Sequence, residues 1–189
     1  AGMFSFEVCE EEEIYYAEAH NDATGKINYH TITYTQNDVG THVYTIREIS
    51  DSGNGITVDT NTYTVTVTVE DNGDGTLKVT ATDNATVLNF TNTYAADGEV
   101  TFAGTKTIEG RDMTEDDVFV FAVKEGEKTI VTASNDADGN IVFPTIEYTL
   151  DDVGTHTYTV KETSPSGLGI TVDDTVYTVT VEVADNGDG

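Results

Sequence analysis

Two-residue alternation of apolar and polar positions runs through much of the 189-residue chain. In TYTVTVTVE, residues 62–70, Tyr63, Val65, Val67 and Val69 fall on one face and Thr64, Thr66 and Thr68 on the other. That period belongs to half-buried strands. MFSFEV places Phe4, Phe6 and Val8 together in the same way. The segments DNGDG at 71–75 and NDADGN at 135–140 carry the Gly, Asn and Asp of tight hairpin turns. No stretch of useful length holds a helical period. Short strands separated by turns predict an all-β sandwich.

Two of the predicted strands break the alternation at the same point. THVYTIREI, 41–49, sets His42, Tyr44, Ile46 and Glu48 on one face, with Thr41, Val43, Thr45 and Arg47 opposite. HTYTVKETS, 156–164, sets His156, Tyr158, Val160 and Glu162 on one face. A glutamate on the apolar face, twice, indicates a repeat. DVGTHVYTIRE at 38–48 matches DVGTHTYTVKE at 152–162, and GITVDTNTYTVTVTVEDNGDG at 55–75 matches GITVDDTVYTVTVEVADNGDG at 169–189, both offset by 114 residues. The chain therefore reads as tandem β-sandwich repeats. Residues 1–94 form one copy, 95–99 (AADGE) a linker, and 100–189 the second copy. Each copy is expected to be truncated. The first lacks a counterpart of VTFAGTKTIEGRD (100–112) and the second a counterpart of TLKVTATDNATVLNFTNTY (76–94), so the chain is expected to continue in both directions.

The same parity test exposes two further polar residues. On the opening strand of the second copy, Phe102, Gly104, Lys106 and Ile108 share a face. On the closing strand of the first, Leu88, Phe90, Asn92 and Tyr94 do. One complete repeat then carries an inward lysine on its first strand, an inward glutamate in the middle and an inward asparagine on its last. Burial lowers a lysine's pKa and raises a carboxylate's. A neutral amine is a nucleophile. A carboxylic acid hydrogen-bonded to the asparagine carbonyl polarises it and shuttles protons. Attack on that carbonyl expels ammonia and joins the two side chains. The plainer alternative is a lysine that snorkels to solvent, a glutamate paired with it and an asparagine that caps a sheet edge.

Charge narrows the partners. The chain has 35 Asp plus Glu against 8 Lys plus Arg, a net charge of −27. Phosphate backbones and anionic lipids are repelled. The single cysteine, Cys9, excludes a disulfide within the chain. It has the opposite parity to Phe6 and Val8 and is expected to face solvent. No apolar run is long enough to span a membrane.

The ordered set TFAGTKTIEGRDM, FVFAV, DVGTHTYTVKE, GITVDDTVYTVTVEV, NGDGTLKVTAT and VLNFTNTY resembles the pilin isopeptide-linkage domains of Gram-positive backbone pilins and adhesin stalks. The resemblance covers nearly the whole chain outside the linker. It implies Ig-like, CnaB/pilin-type β-sandwiches, spontaneous isopeptide formation and a place in extracellular cell-surface fibres. Residue by residue it implies Lys106 as the amine, Glu48 and Glu162 as the catalytic acids of their own copies, and Asn92 as the acceptor. One departure stands out. No single copy holds all three residues, so the partners of Lys106 and Asn92 are expected in neighbouring sequence or in a strand exchanged with another chain. No enzyme acting on an external substrate, no metal and no cofactor is expected. The partners expected are adjacent repeats or subunits.

Remaining features are weaker. An EF-hand pattern begun at Glu70 has Asn72, Asp74 and Gly75 in place, but its twelfth position is Ala81 and the pattern fails. A loose surface calcium site stays an alternative. His42 and His156 read as core or rim histidines. Asn84 and Asn89 fit the Asn-x-Thr acceptor pattern. The alternative function is an adhesin repeat that binds a host or neighbouring-cell ligand. IYYAEAH, 14–20, is its best candidate surface, with one of the two adjacent tyrosines expected in the core.

Overall fold

The computed structural model describes residues 4–10, 13–82, 88–167 and 169–189, with the side chains of 13–18 left aside. The chain divides into two compact units, Ala1–Tyr94 and Ala95–Gly189. Both are β-structures built from antiparallel pairs. Among the described residues no helix is long and apolar enough to cross a membrane.

Unit 1 holds β1 (Ser5–Glu10), β2 (Glu13–His20), β3 (Gly40–Glu48), β4 (Ile56–Thr57), β5 (Thr62–Asp71), β6 (Leu77–Ala81) and β7 (Thr93–Tyr94). One five-stranded sheet runs β2-β1-β3-β5-β6, and β4 pairs separately with β7. The register sets Phe6 opposite Glu48 and Val8 opposite Ile46. It sets Tyr44 opposite Val65. Pleating then drives Val8, Tyr44, Ile46, Val65, Val67 and Val69 into one cluster. Tyr29, Ile32, Tyr34, Leu88 and Phe90 close over it. The β5–β6 hairpin turns through DNGDG, with Gly73 and Gly75 at positive φ.

Unit 2 holds β8 (Asp97–Val100), β9 (Ala103–Thr105), β10 (Val120–Glu125), β11 (Lys128–Ser134), β12 (Asn140–Val142), β13 (Ile146–Thr149), β14 (Gly154–Glu162) and β15 (Val176–Val183). A four-stranded sheet runs β11-β10-β14-β15. The facing layer is made of the pairs β12-β9 and β13-β8. Val123 and Tyr158 from the first layer meet Ile141, Phe143, Ile146 and Tyr148 from the second. Each such buried side chain contributes about 1.5–3 kcal/mol of transfer free energy. This is the sandwich expected from the alternation.

Several local expectations are corrected. Residues 97–99, read as linker, belong to β8, which pairs Gly98 with Tyr148 and Val100 with Ile146. Of the closing strand expected to hold Leu88 through Tyr94, only Thr93 and Tyr94 are strand, and Tyr94 is exposed rather than inward. Cys9 is partly buried, not a solvent-facing residue, and burial followed by the nearby Glu7 raises its thiol pKa. Glu7 itself is buried, and its carboxylate accepts from Arg47 Nε. The alternation test missed it because it lies opposite the apolar face. Asn84 and the side chains of Tyr15 and Tyr16 lie outside the described residues.

Candidate functional site

The site in unit 2 begins with a glycine. Gly139, in the turn before β12, has φ +86. Its carbonyl accepts the Lys106 N–H at 2.7 Å. A Cβ on Gly139 would lie 2.2 Å from the Lys106 carbonyl oxygen. Only glycine allows both the left-handed turn and this close approach. Thr105 pairs with Asn140 one residue earlier, so β9 is held in register up to the lysine. The Lys106 ammonium then points inward. Its Nζ lies 2.9 Å from Glu162 Oε2, with side-chain exposures of 11% and 3%. The same nitrogen sits 4.7 Å from the centroid of the Phe119 ring, a cation–π contact. Glu162 is held by β14, opposite Phe121 of β10. Its other oxygen, Oε1, is buried with no hydrogen-bond partner among the described residues.

Unit 1 presents the other half. Glu48 ends β3 opposite Phe6, and it is buried. Asn92 Nδ2 donates to Glu48 Oε1 at 2.9 Å. The Asn92 carbonyl oxygen accepts the backbone N–H of Asp59 at 2.8 Å. Asp59 Oδ2 accepts the Thr91 N–H at 2.7 Å, and its Oδ1 accepts the Asn61 N–H at 2.8 Å. These bonds hold the Asp59 carboxyl below its usual pKa, the Thr91 bond first among them. Glu48 Oε2 is buried with no hydrogen-bond partner among the described residues.

The structure thus brings Lys106 to Glu162 in unit 2 and Asn92 to Glu48 in unit 1. Within unit 1, Glu48 faces a groove of about 410 Å³ lined by Phe4, Phe6, Leu88, Phe90 and Asn92. Within unit 2, Lys106 borders a groove of about 600 Å³ that includes Ile170, Thr171, Asp173 and Tyr177. Ile56 and Thr57, the unit 1 counterparts of Ile170 and Thr171, are the residues on which β7 docks. The expected contact between the acid and the asparagine carbonyl is replaced by one to the amide nitrogen. Asp59 was not anticipated from sequence. It sits in an irregular segment with no period, and its bonds span 32 and 33 residues.

A second polar cluster recurs beside each core. His42 Nδ1 lies 2.7 Å from Glu10 Oε1, and its Nε2 lies 2.7 Å from the Asp38 carbonyl. His156 repeats this with Glu125 at 2.9 Å and the Asp152 carbonyl at 2.7 Å. Each ring places both nitrogens against an oxygen, an arrangement that favours the doubly protonated ring. The Asp38 and Asp152 carbonyls, then the Glu10 and Glu125 carboxylates, raise the two histidine pKa values. These are rim histidines held by hydrogen bonds.

In the acidic turn at 71–75, Asp71 Oδ1 accepts the Gly73 N–H and Asp74 Oδ1 accepts the Thr76 N–H and hydroxyl. Among the described residues no three His, Cys, Asp or Glu side chains converge to hold a metal ion.

Comparison with known proteins gives one match. No curated protein and no solved structure matches the chain. A family model described as FctA, Spy0128-like isopeptide containing domain, matches twice, over residues 1–95 and 102–189. The two matches fall on the two units, each with its buried glutamate, and the chain belongs to this family of isopeptide-containing pilin domains.

Proposed function

We propose that each unit is a structural repeat of an extracellular surface fibre, a pilus shaft or an adhesin stalk. Each is locked by an isopeptide bond between a lysine on its opening strand and an asparagine on its closing strand. The observation that carries this reading is the pair of half-occupied glutamates. Glu162 has one oxygen on a lysine and Glu48 one oxygen on an asparagine amide, and the other oxygen of each is buried with no hydrogen-bond partner among the described residues. A buried carboxylate oxygen without a partner is costly. The lysine of one unit is the missing partner in the other.

Superposing the two halves by their sequence equivalence gives the reaction. A proton passes from the lysine ammonium to the glutamate, which leaves a free amine. The amine attacks Cγ of the asparagine. The glutamate then returns that proton to the departing amide nitrogen, the C–N bond to it breaks and ammonia leaves, and the attacking nitrogen gives up its second proton through the glutamate to the ammonia, which departs as ammonium. One amide is consumed and one is formed, so no oxidant and no cofactor enters. The fold supplies the proximity of amine and amide. The reaction is autocatalytic, made once per domain, and turns over no external substrate.

In this reading the lysine strand for unit 1 and the asparagine strand for unit 2 come from neighbouring sequence or from a strand exchanged with another chain. A bond from first to last strand carries tension around the hydrogen-bonded core. It also closes a loop of nearly the whole domain, which disfavours the unfolded chain as a long-loop disulfide does.

The test appends residues 76–94 after Gly189, which gives unit 2 its closing segment. Intact mass is compared with Lys106→Ala and Glu162→Ala versions. Loss of one ammonia in the parent alone is expected. A folded parent at its full mass removes the proposal.

A further inference from the structure

The asparagine amide in unit 1 is held at both ends, and the two ends are held by different groups. Its nitrogen donates to Glu48 and its oxygen accepts from the Asp59 backbone N–H. The orientation follows from the donors. A backbone N–H is only a donor, so it demands the carbonyl oxygen, which leaves the NH₂ for the carboxylate. When an amine attacks Cγ, negative charge develops on that carbonyl oxygen. The group already aimed at it, 2.8 Å away, is the Asp59 N–H.

We infer that the Asp59 backbone N–H is the oxyanion donor of the isopeptide reaction in unit 1, and that its carboxylate positions the acceptor by latching Thr91. The inference rests on the function proposed above and divides the labour within it. Glu48 handles protons at the nucleophile and the leaving nitrogen. Asp59 stabilises the oxygen. Both contacts are needed because they act on adjacent residues. Asp59 Oδ2 fixes the Thr91 N–H, and the Asp59 N–H fixes the next side chain, Asn92. An aspartate whose backbone and carboxylate both grip a segment 32 residues away is more than a local turn.

Unit 2 repeats part of this arrangement. Asp173 is the counterpart of Asp59. Its Oδ1 accepts the Thr175 N–H at 2.9 Å, as Asp59 Oδ1 accepts that of Asn61. Asp173 lies in the groove beside Lys106, whose charge contributes to lowering its carboxyl pKa after the Thr175 bonds. By this equivalence the same role in unit 2 is assigned to the Asp173 N–H.

The experiment uses the chain extended by placing residues 99–115 before Ala1, which brings a lysine strand to unit 1. The protein is refolded from urea and ammonia loss is followed by mass against time. In a semisynthetic version, L-malate replaces Asp59, which keeps the carboxylate and turns the backbone N–H into an ester oxygen. The expected result is a bond that forms about 100-fold more slowly, the usual effect of removing one oxyanion donor. Asp59→Asn keeps the backbone N–H but leaves one side-chain oxygen for the Thr91 and Asn61 N–H groups, and should slow the bond less than the ester does. Independently, the unextended chain should show a through-hydrogen-bond scalar coupling between the Asp59 amide nitrogen and the Asn92 side-chain carbonyl carbon. Equal rates in parent and ester versions, or a missing coupling, overturn the inference while the bond itself stands. A parent that folds and loses no ammonia removes the proposed function and this inference with it.

Discussion

Residues 27–35, INYHTITYT, and 141–149, IVFPTIEYT, occupy equivalent places in the two units and differ in structure. In unit 2 the segment contains parts of β12 and all of β13, because β9 and β8 lie alongside and complete the ladders. In unit 1, residues 28–35 form no strand, although Tyr29, Ile32 and Tyr34 still pack on the core. The other edge shows the reverse. Tyr63 in unit 1 donates its hydroxyl to the Asn89 carbonyl and meets Phe90 edge-on. Its counterpart Tyr177 is 61% exposed. Side-chain burial is encoded locally by alternation, whereas a ladder exists only when its partner strand is present. Each unit is intact where the other is open, and the polar site divides along the same line.

The comparison is broken most strongly at the lysine. Lys106→Ala leaves Glu162 buried without its cation and should destabilise unit 2 by about 4 kcal/mol. Asn92→Ala, which removes a neutral partner from Glu48, should cost unit 1 only about 1–2 kcal/mol. Urea unfolding, followed by a probe placed in each unit, reads both. Similar costs would mean that the two half-sites are equivalent polar clusters.

The turn glycines come next. Gly25 and Gly139 have φ values of +85 and +86. A Cβ at Gly25 meets nothing within 4 Å, whereas at Gly139 it strikes the Lys106 carbonyl. Gly25→Ala should cost about 1 kcal/mol, the left-handed strain alone. Gly139→Ala should cost about 2 kcal/mol more through the lost approach of β9. Adding residues 99–115 before Ala1 should raise the cost of Gly25→Ala to that of Gly139→Ala.

Tyr29 and Phe143 are also counterparts. The Tyr29 hydroxyl is buried with no partner among the described residues, and burial pushes its pKa up to about 12. Tyr29→Phe should stabilise unit 1 by about 1 kcal/mol, and Phe143→Tyr should destabilise unit 2 by a similar amount. A thermal midpoint that falls in Tyr29→Phe would show that the hydroxyl has a role.

The smallest effect is shared by both units. His42 faces Glu10, Tyr34, Tyr44 and the Asp38 carbonyl. His156 faces Glu125, Tyr148, Tyr158 and the Asp152 carbonyl. Both pKa values are raised from 6.5, by the backbone carbonyl first and the carboxylate second. A raised folded pKa gives stabilisation that is complete below the unfolded value and is lost as pH rises through the folded one. The thermal midpoints of both units should therefore fall as pH rises from 6.5 toward and past the folded values. His42→Gln together with His156→Gln should flatten the profile. A fall confined to one unit would break the equivalence of the two clusters.

Much of this was legible in the sequence because alternation reports burial without a partner. The inward glutamates Glu48 and Glu162 stood out against tyrosine and valine on regular strands, and the 114-residue offset tied them together. Lys106 and Asn92 were found by the same parity test. Asp59 was not, because a latch formed by a backbone N–H leaves no signature in residue type. Glu7 was missed because it lies on the face of β1 opposite Phe6 and Val8, where alternation predicts exposure. Strand β8 was hidden by Asp97, Gly98 and Glu99, residue types depleted in strands, which pair only because β13 presents an open edge.

The most direct measurement extends the chain at both ends, with residues 99–115 before Ala1 and residues 76–94 after Gly189. Each unit then holds a lysine, a glutamate and an asparagine. Intact mass after folding should be lower by two ammonia molecules, one per unit, and peptide mapping should place one junction at Asn92 and the other at Lys106. A folded chain at its full mass would contradict the account.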